Sequence, residues 1–293
     1  MNPTGRLVHI FNKFGFDLFL VGGPVRDRLM GTTSNDIDLT TNAPPERIKE
    51  LVRRAGATDI YTIGERFGTI GTIFDGETLE ITTFRSESYR SGSRKPEVQF
   101  GTSLEADLGR RDFTVNAIAQ DVQSGQIIDP HGGIADVVAR KIRSVGTADD
   151  RFREDPLRVL RCVRFAVQLD FDVDSATLAA ARRNVPELQH ISAERIAAEL
   201  QLILLTPRPD RGLIMMLELG ILGLVIPELI PLQQTEQERE RQHKDVFAHT
   251  MRVLQGTPPV PELRWAALLH DVGKPQTKTF RRGRVRFFGH EER

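Results

Sequence analysis

The chain has 293 residues, enough for two or three domains with cores of their own. Lysine plus arginine and aspartate plus glutamate number 40 each, so the net charge is zero and no global basic field marks a nucleic-acid binder; any RNA contact must come from local clusters. The single cysteine, Cys162, excludes an internal disulfide and a cysteine-rich zinc site and suits a reducing, cytoplasmic setting. Residues 1–15 lack the long apolar core of a signal peptide. Residues 213–232, the most apolar window, contain Glu218, Pro227, Glu228 and Pro231 and read as core helix plus turn, so no membrane is expected.

Leu7, Ile10, Phe11 and Phe14 have helical spacing. Residues 19–21 read as a strand stopped by Gly22-Gly23, where the backbone can approach an anion and expose its N–H groups. Pro24 fits the first turn of a helix over 25–30, with Gly31 as its C′ residue. A helix N-terminus beside a glycine turn suits phosphate, and Arg26 and Arg28 add charge. In the following NDIDL, strand alternation puts Asp36 and Asp38 on one face and Ile37 and Leu39 on the other. Two carboxylates there suit Mg²⁺. Two such ions about 3.5–4 Å apart can activate a hydroxyl and stabilise a leaving pyrophosphate. Taken alone, the acids read as solvent-facing residues of an edge strand.

A helix over 46–55 and strands over 61–63, 69–74 and 78–84 follow, with Asp75-Gly76 as a hairpin turn. Glu80 lies mid-strand between Leu79 and Ile81, a position that by pattern faces water. Residues 85–100 read as a polar loop. In residues 108–117, LGRRDFTVNA, two arginines, an acid and an amide offer charge and hydrogen bonds to a polyanionic, sugar-bearing ligand. The segment also reads as a capped helix starting at Asp112. Residues 127–133 read as a strand and turn. Residues 151–165 read as one helix carrying Arg158, Arg161 and Arg164 at three-residue steps from Asp155, each step drifting by about 60°. As a bare pattern this is a surface helix with an Asp155–Arg158 ion pair. Residues 170–232 read as helical, with Ser175 and Ser192 as N-caps, and 233–244 as a polar linker or exposed helix. An apolar helix over 262–272 ends in His270-Asp271, with His249 before it and His243 and His290 in the same terminal segment.

The stretch from Gly22 to Asp38 resembles the first motif of the polymerase-β-like nucleotidyltransferases, and more narrowly the bacterial tRNA nucleotidyltransferase and poly(A) polymerase family, the class II CCA-adding enzymes. RRDFTVNA and Glu154-Asp155-x-x-Arg158 extend the resemblance through most of the chain. It implies an α+β protein: a mixed-sheet catalytic head over 1–143, then a helical nucleotide-reading and RNA-binding neck and body over 144–235. It implies Asp36 and Asp38 as catalytic Mg²⁺ ligands, with Glu80 beside them as a third acid. It implies Gly22, Gly23, Arg26, Arg111, Asp112 and Asn116 as nucleotide-binding residues. Asp155 and Arg158 would read the incoming base, and Arg161 and Arg164 would support phosphates or the primer end. The chemistry is consistent: cytosine and adenine both present an amino donor beside a ring-nitrogen acceptor, while uracil and guanine present the reverse, and each bidentate contact discriminates by about 1–3 kcal/mol. The family also has a flexible loop at 85–100 that changes preference between C and A; Tyr89, Arg90, Arg94 and Pro96 match it, but Ser-Gly-Ser stands where an acid is expected.

Residues 236–293 resemble part of an HD metal-dependent phosphohydrolase domain, with His249, His270 and Asp271 matching its ligands for a transition-metal ion. The chain stops at Arg293, before the final aspartate of that pattern. A helix-end cap is the alternative reading of His270-Asp271. The implied function is template-independent addition of C, C and A from CTP and ATP to the tRNA 3′ end. The alternatives are a CC-adding or A-adding enzyme, a poly(A) polymerase, and an HD phosphohydrolase with an RNA-binding module. GERFGTIGT at 64–72 resembles the CCA branch more than the poly(A) branch.

Overall fold

The computed structural model describes residues 3–33, 37–88, 97–101, 103–235, 245–281 and 284–292. Asp36, the loop residues Tyr89, Arg90, Arg94 and Pro96, and His243 lie outside the described residues. The chain divides into two compact units, Met1–Glu154 and Asp155–Arg293. The expected cut at 143 falls inside the first unit because its flanks are stitched to RRDFT. Thr114 N–H donates to Arg143 O (2.9 Å) and Val145 N–H to Asp112 O (3.1 Å). The expected cut at 235 falls inside the second.

The first unit opens with α1 (Pro3–Lys13), whose helical spacing buries Leu7 and Phe11. There follow β1 (Leu18–Val21), α2 (Gly23–Leu29), β2 (Ile37–Thr41), α3 (Pro45–Ala55), β3 (Asp59–Tyr61), β4 (Thr69–Phe74) and β5 (Glu77–Thr83). A ribbon of β6 (Arg85–Ser88) and β7 (Glu97–Phe100) leads to α4 (Leu104–Gly109), β8 (Ala119–Asp121), β9 (Ile127–Ile128), α5 (Gly133–Val138), β10 (Lys141–Ile142) and α6 (Ala148–Glu154). One sheet runs β3-β4-β5-β2-β1-β8-β9. Its β2–β5 pair is parallel and its other pairs are antiparallel. Phe19, Val21, Phe84, Leu108, Ala117 and Val145 form one core cluster, so motif-bearing segments are anchored by apolar neighbours.

Local chemistry explains the turns. Asp75 (φ 51°) and Gly76 (φ 88°) both adopt positive φ between the Phe74–Glu77 pair, as a two-residue hairpin requires. At the end of α2, Gly31 N–H donates to Arg28 O (3.0 Å) and Thr32 N–H to Asp27 O (2.9 Å), the paired closure that a left-handed glycine allows. The strand expected at 61–63 instead ends at Tyr61; the chain turns at Gly64, and Ile63 is 93% exposed. Asp112 does not start an α-helix. It holds a single 3₁₀ turn over Thr114–Asn116 by accepting from Phe113 N–H (2.8 Å) and Asn116 Nδ2 (3.1 Å).

The second unit is built from α7 (Leu157–Gln168), α8 (Ser175–Asn184), α9 (Ala193–Leu204), α10 (Pro209–Leu219), α11 (Leu222–Val225), α12 (Val246–Gly256), α13 (Pro261–Leu269) and α14 (Lys274–Thr277). The helix expected over 151–165 is two, α6 and α7, because Pro156 has no N–H to donate and disfavours helical backbone before it. Asp174, not Ser175, caps α8, its side chain accepting from Thr177 N–H. A two-residue strand, Asp172–Val173, interrupts the expected helical stretch. The helix expected over 262–272 closes at Leu269, and a hairpin of Lys278–Arg281 with Arg284–Phe287 follows it.

Candidate functional site

In the first unit the structure brings the first two motifs together. Gly22, at φ 73°, donates its N–H to Ile118 O (3.1 Å), so that group serves the fold and not a phosphate, contrary to the expectation. A Cβ on Gly22 would stand 2.9 Å from Arg111 Nη1, so only glycine lets this guanidinium lie against the turn. Arg26, expected to display its charge, is 5% exposed. Its Nη1 donates to Asn116 Oδ1 (2.6 Å) and its Nε to Asp27 Oδ1 (2.9 Å). It ties α2 to the TVN turn.

Arg111 is the more displayed of the two. Its Nη1 donates to Asn116 O (3.3 Å) and its Nη2 to Asp107 Oδ2 (3.5 Å). Its Nε is buried with no hydrogen-bond partner among the described residues. Burial pulls the Arg111 guanidinium below its ordinary value and Arg110 adds to the fall, while the carboxylates of Asp107, Asp112 and Asp38 oppose it. Asp38 therefore lies within the field of Arg111. On β2, Asp38 is the register partner of Glu80 on the parallel β5, so both sit at one level of the sheet. Adjacent parallel strands in register direct such side chains to the same face. Hard oxygen donors of this kind fit Mg²⁺.

In the second unit, Asp155 precedes α7. Its Oδ1 accepts from Leu157 N–H (3.2 Å) and its Oδ2 from Arg195 Nη2 of α9 (2.8 Å). Arg158 is 8% exposed. Glu199, one turn beyond Arg195, accepts from Arg164 Nε (2.7 Å) and Arg161 Nη1 (3.5 Å). Both guanidiniums lie over the Phe165 ring, at 4.1 Å for Arg164 and 5.3 Å for Arg161. Sequence reasoning missed Asp107, Arg195 and Glu199. Asp107 carried a local signal, an acid three and four residues before Arg110 and Arg111 on a helix; the α9 pair carried none, because their partners lie 35 to 40 residues away.

Elsewhere in the second unit, His249 and His270 stand at 3.7 and 3.1 Å (Nε2) from Asp271 Oδ2. His290 Nε2 lies 3.6 Å from Asp271 Oδ1, and Lys274 Nζ 2.7 Å from Oδ2. One ligand atom from each of His249, His270 and Asp271 lies within 4.8 Å of the others, which fits a transition-metal ion. Burial pushes the Asp271 carboxyl up, but hydrogen bonds from His270 and Lys274 prevail and hold it at about 2. The bond to Asp271 raises His270, against the burial that lowers it.

Acids in register on β2 and β5, one of them, Asp38, within the field of a guanidinium laid on a glycine turn, sit in a mixed-sheet unit of the polymerase-β-like nucleotidyltransferase kind, here joined to a helical body. Residues 18–143 match the poly A polymerase head domain, and residues 170–232 match the "Probable RNA and SrmB-binding site of polymerase A". The chain belongs to the bacterial tRNA nucleotidyltransferase and poly(A) polymerase family. It is 37% identical over 277 residues to the CCA-adding enzyme of Geobacillus thermodenitrificans, covering 94% of this chain and 64% of that one. The structure resembles the Bacillus stearothermophilus CCA-adding enzyme in complex with CTP, with a TM-score of 0.76 at 33% identity over 94% of this chain and 65% of that one. It also resembles a tRNA nucleotidyltransferase complexed with a primer tRNA and an incoming ATP analog, with a TM-score of 0.64 at 27% identity over 85% and 74%. The chain thus spans slightly less than two thirds of the length of the Geobacillus relative. No helix among the described residues is long and apolar enough to cross a membrane.

Proposed function

We propose that the protein adds C, C and A from CTP and ATP to the 3′ end of tRNA, releasing pyrophosphate. One observation carries the reading: Gly22, Arg111 and Asn116 from two distant motifs converge, with Asp38 in the same field. The relatives bound to CTP, or to primer tRNA with an ATP analog, support the substrate classes. In this account Arg111 binds the nucleotide against Gly22–Gly23, and Arg26, Asp112 and Asn116 hold that arrangement. Asp36, Asp38 and Glu80 are the residues that would hold Mg²⁺. When bound, the ion supplies positive charge that favours ionisation of the primer hydroxyl and departure of pyrophosphate. The chain itself contributes position and a fixed positive field for in-line displacement of pyrophosphate at the α-phosphate.

Asp155 accepts from the exocyclic amino group of C or A while Arg158 donates to the ring nitrogen. Arg195 holds the carboxylate of Asp155, and Glu199 holds Arg161 and Arg164. Incorporation of labelled CTP into tRNA lacking its CCA end, dependent on Mg²⁺, tests the assignment. A saturable signal that UTP and GTP do not replace is expected; no incorporation with CTP and ATP together overturns it.

The clustering of His249, His270 and Asp271 favours a second site, in an HD-like segment, for a transition-metal ion serving phosphoester hydrolysis. The expected result is saturable Mn²⁺ or Co²⁺ binding by calorimetry that His270→Ala and Asp271→Ala abolish. Binding that survives both substitutions leaves the cluster as a helix-end cap.

A further inference from the structure

Asp107 has no part in the roles above, yet its carboxylate is a junction. It sits on α4 with 0% of its surface exposed. Its Oδ1 accepts from Arg110 Nη2 (2.8 Å) and Nε (3.0 Å) and from the backbone N–H of Arg85 (3.4 Å). Its Oδ2 accepts from Arg111 Nη2 (3.5 Å). A buried carboxylate needs compensating donors, and two guanidiniums with a backbone amide supply them. Arg85 begins β6, the outgoing strand of the ribbon whose connecting residues include 89–96, and its guanidinium donates to the Phe67 carbonyl.

We infer that Asp107 is a positioning residue that fixes the orientation of Arg111 and joins it to the stem of the β6–β7 ribbon. The inference rests on the nucleotide-binding role of Arg111. Arg111 is held at two ends, by Asn116 O and by Asp107, and this leaves its buried Nε directed at neither. Such a two-point hold sets one orientation of the planar guanidinium, which is what a bidentate anion contact requires. The same carboxylate accepts the first N–H of the ribbon, so Arg111 and Arg85 share one anchor, and a nucleotide that tightens the hold on Arg111 also steadies the Arg85 amide.

Asp107→Asn tests this, because it keeps the size and one carbonyl acceptor for Arg85 but removes the charge that faces Arg111. Calorimetric titration with CTP and Mg²⁺, beside a melting curve, is the measurement. In the folded variant the Kd for CTP is expected to rise about tenfold, with KM rising likewise and kcat changing by less than about threefold, as for a lost charge-assisted bond made before the chemical step. A folded Asp107→Asn protein with wild-type CTP affinity overturns the inference and leaves Asp107 as the neutraliser of Arg110. Where the variant does not fold, amide hydrogen exchange at Arg85 of the wild-type protein decides: CTP is expected to slow it, and unchanged exchange overturns the link. Absence of CTP binding by the wild-type protein itself sinks the nucleotide reading of Arg111, and this inference with it.

Discussion

Asp38→Asn is expected to lower kcat for nucleotide incorporation by about 10³-fold, the scale of losing a principal electrostatic element of a transfer site. The substitution is close to isosteric, and β2 keeps its backbone pairing to β1 and β5 on either side. The strand therefore persists, and the melting temperature changes little, as for a partly exposed side chain outside the core. What is lost is an anionic oxygen in register with Glu80, and an amide is a poor ligand for a hard divalent cation. Arg111 also loses one of three carboxylates that favour its charge, so CTP binding is expected to change by only a few-fold while turnover collapses. Rapid-quench turnover beside a CTP titration separates the two. A variant that retains a tenth or more of wild-type kcat contradicts the role of Asp38.

Asp155→Ala is the second large effect, and it falls on choice of base more than on rate. In the proposed base-reading role, removing the carboxylate takes away the acceptor for the amino group of C or A and the repulsion of the carbonyl of U or G. The ratio of kcat/KM for CTP over UTP is expected to fall by about 10- to 100-fold, the equivalent of one bidentate contact of about 1–3 kcal/mol. Two further losses accompany it. Leu157 N–H at the start of α7 loses its side-chain acceptor, and Arg195 loses its ion-pair partner. The first resembles the loss of a helix cap, about 1 kcal/mol, and the second contributes less because the pair is half-exposed. Competition kinetics with all four nucleotides check the prediction. Undiminished exclusion of U and G by a folded Asp155→Ala protein removes Asp155 from base reading.

The features legible in the sequence were those whose cause is local. The Asp75-Gly76 turn and the Gly31 closure follow from backbone freedom at single residues, whereas the level of Asp38 opposite Glu80 is set by the pairing of two strands distant in sequence. The break at Pro156 was equally local, but the arginine periodicity on either side suggested one continuous helix. Arg26 was misjudged because its burial depends on Asn116, 90 residues away; a motif arginine reads as displayed until its partner is known. Arg195 and Glu199 escaped for the same reason, whereas Asp107 had its arginine partners three and four residues away and was passed over as a surface helix acid. A charged residue on a helix reads as solvent-facing, and only the packing of α4 or α9 turns it inward or onto a partner. The hairpin over 278–287 escaped because its first strand shows three exposed residues in a row, Lys278, Thr279 and Phe280, and only Val285 and Phe287 flanking exposed Arg286 alternate.

The proposed activity is ordered addition that stops. A tRNA lacking its CCA end, incubated with Mg²⁺ and separated at single-nucleotide resolution, tests it most directly. With CTP alone, extension by two residues is expected, and with CTP and ATP extension by three followed by arrest. A long A ladder on any RNA, growth limited to C residues when both nucleotides are present, or addition of A only to a CC end would each contradict it.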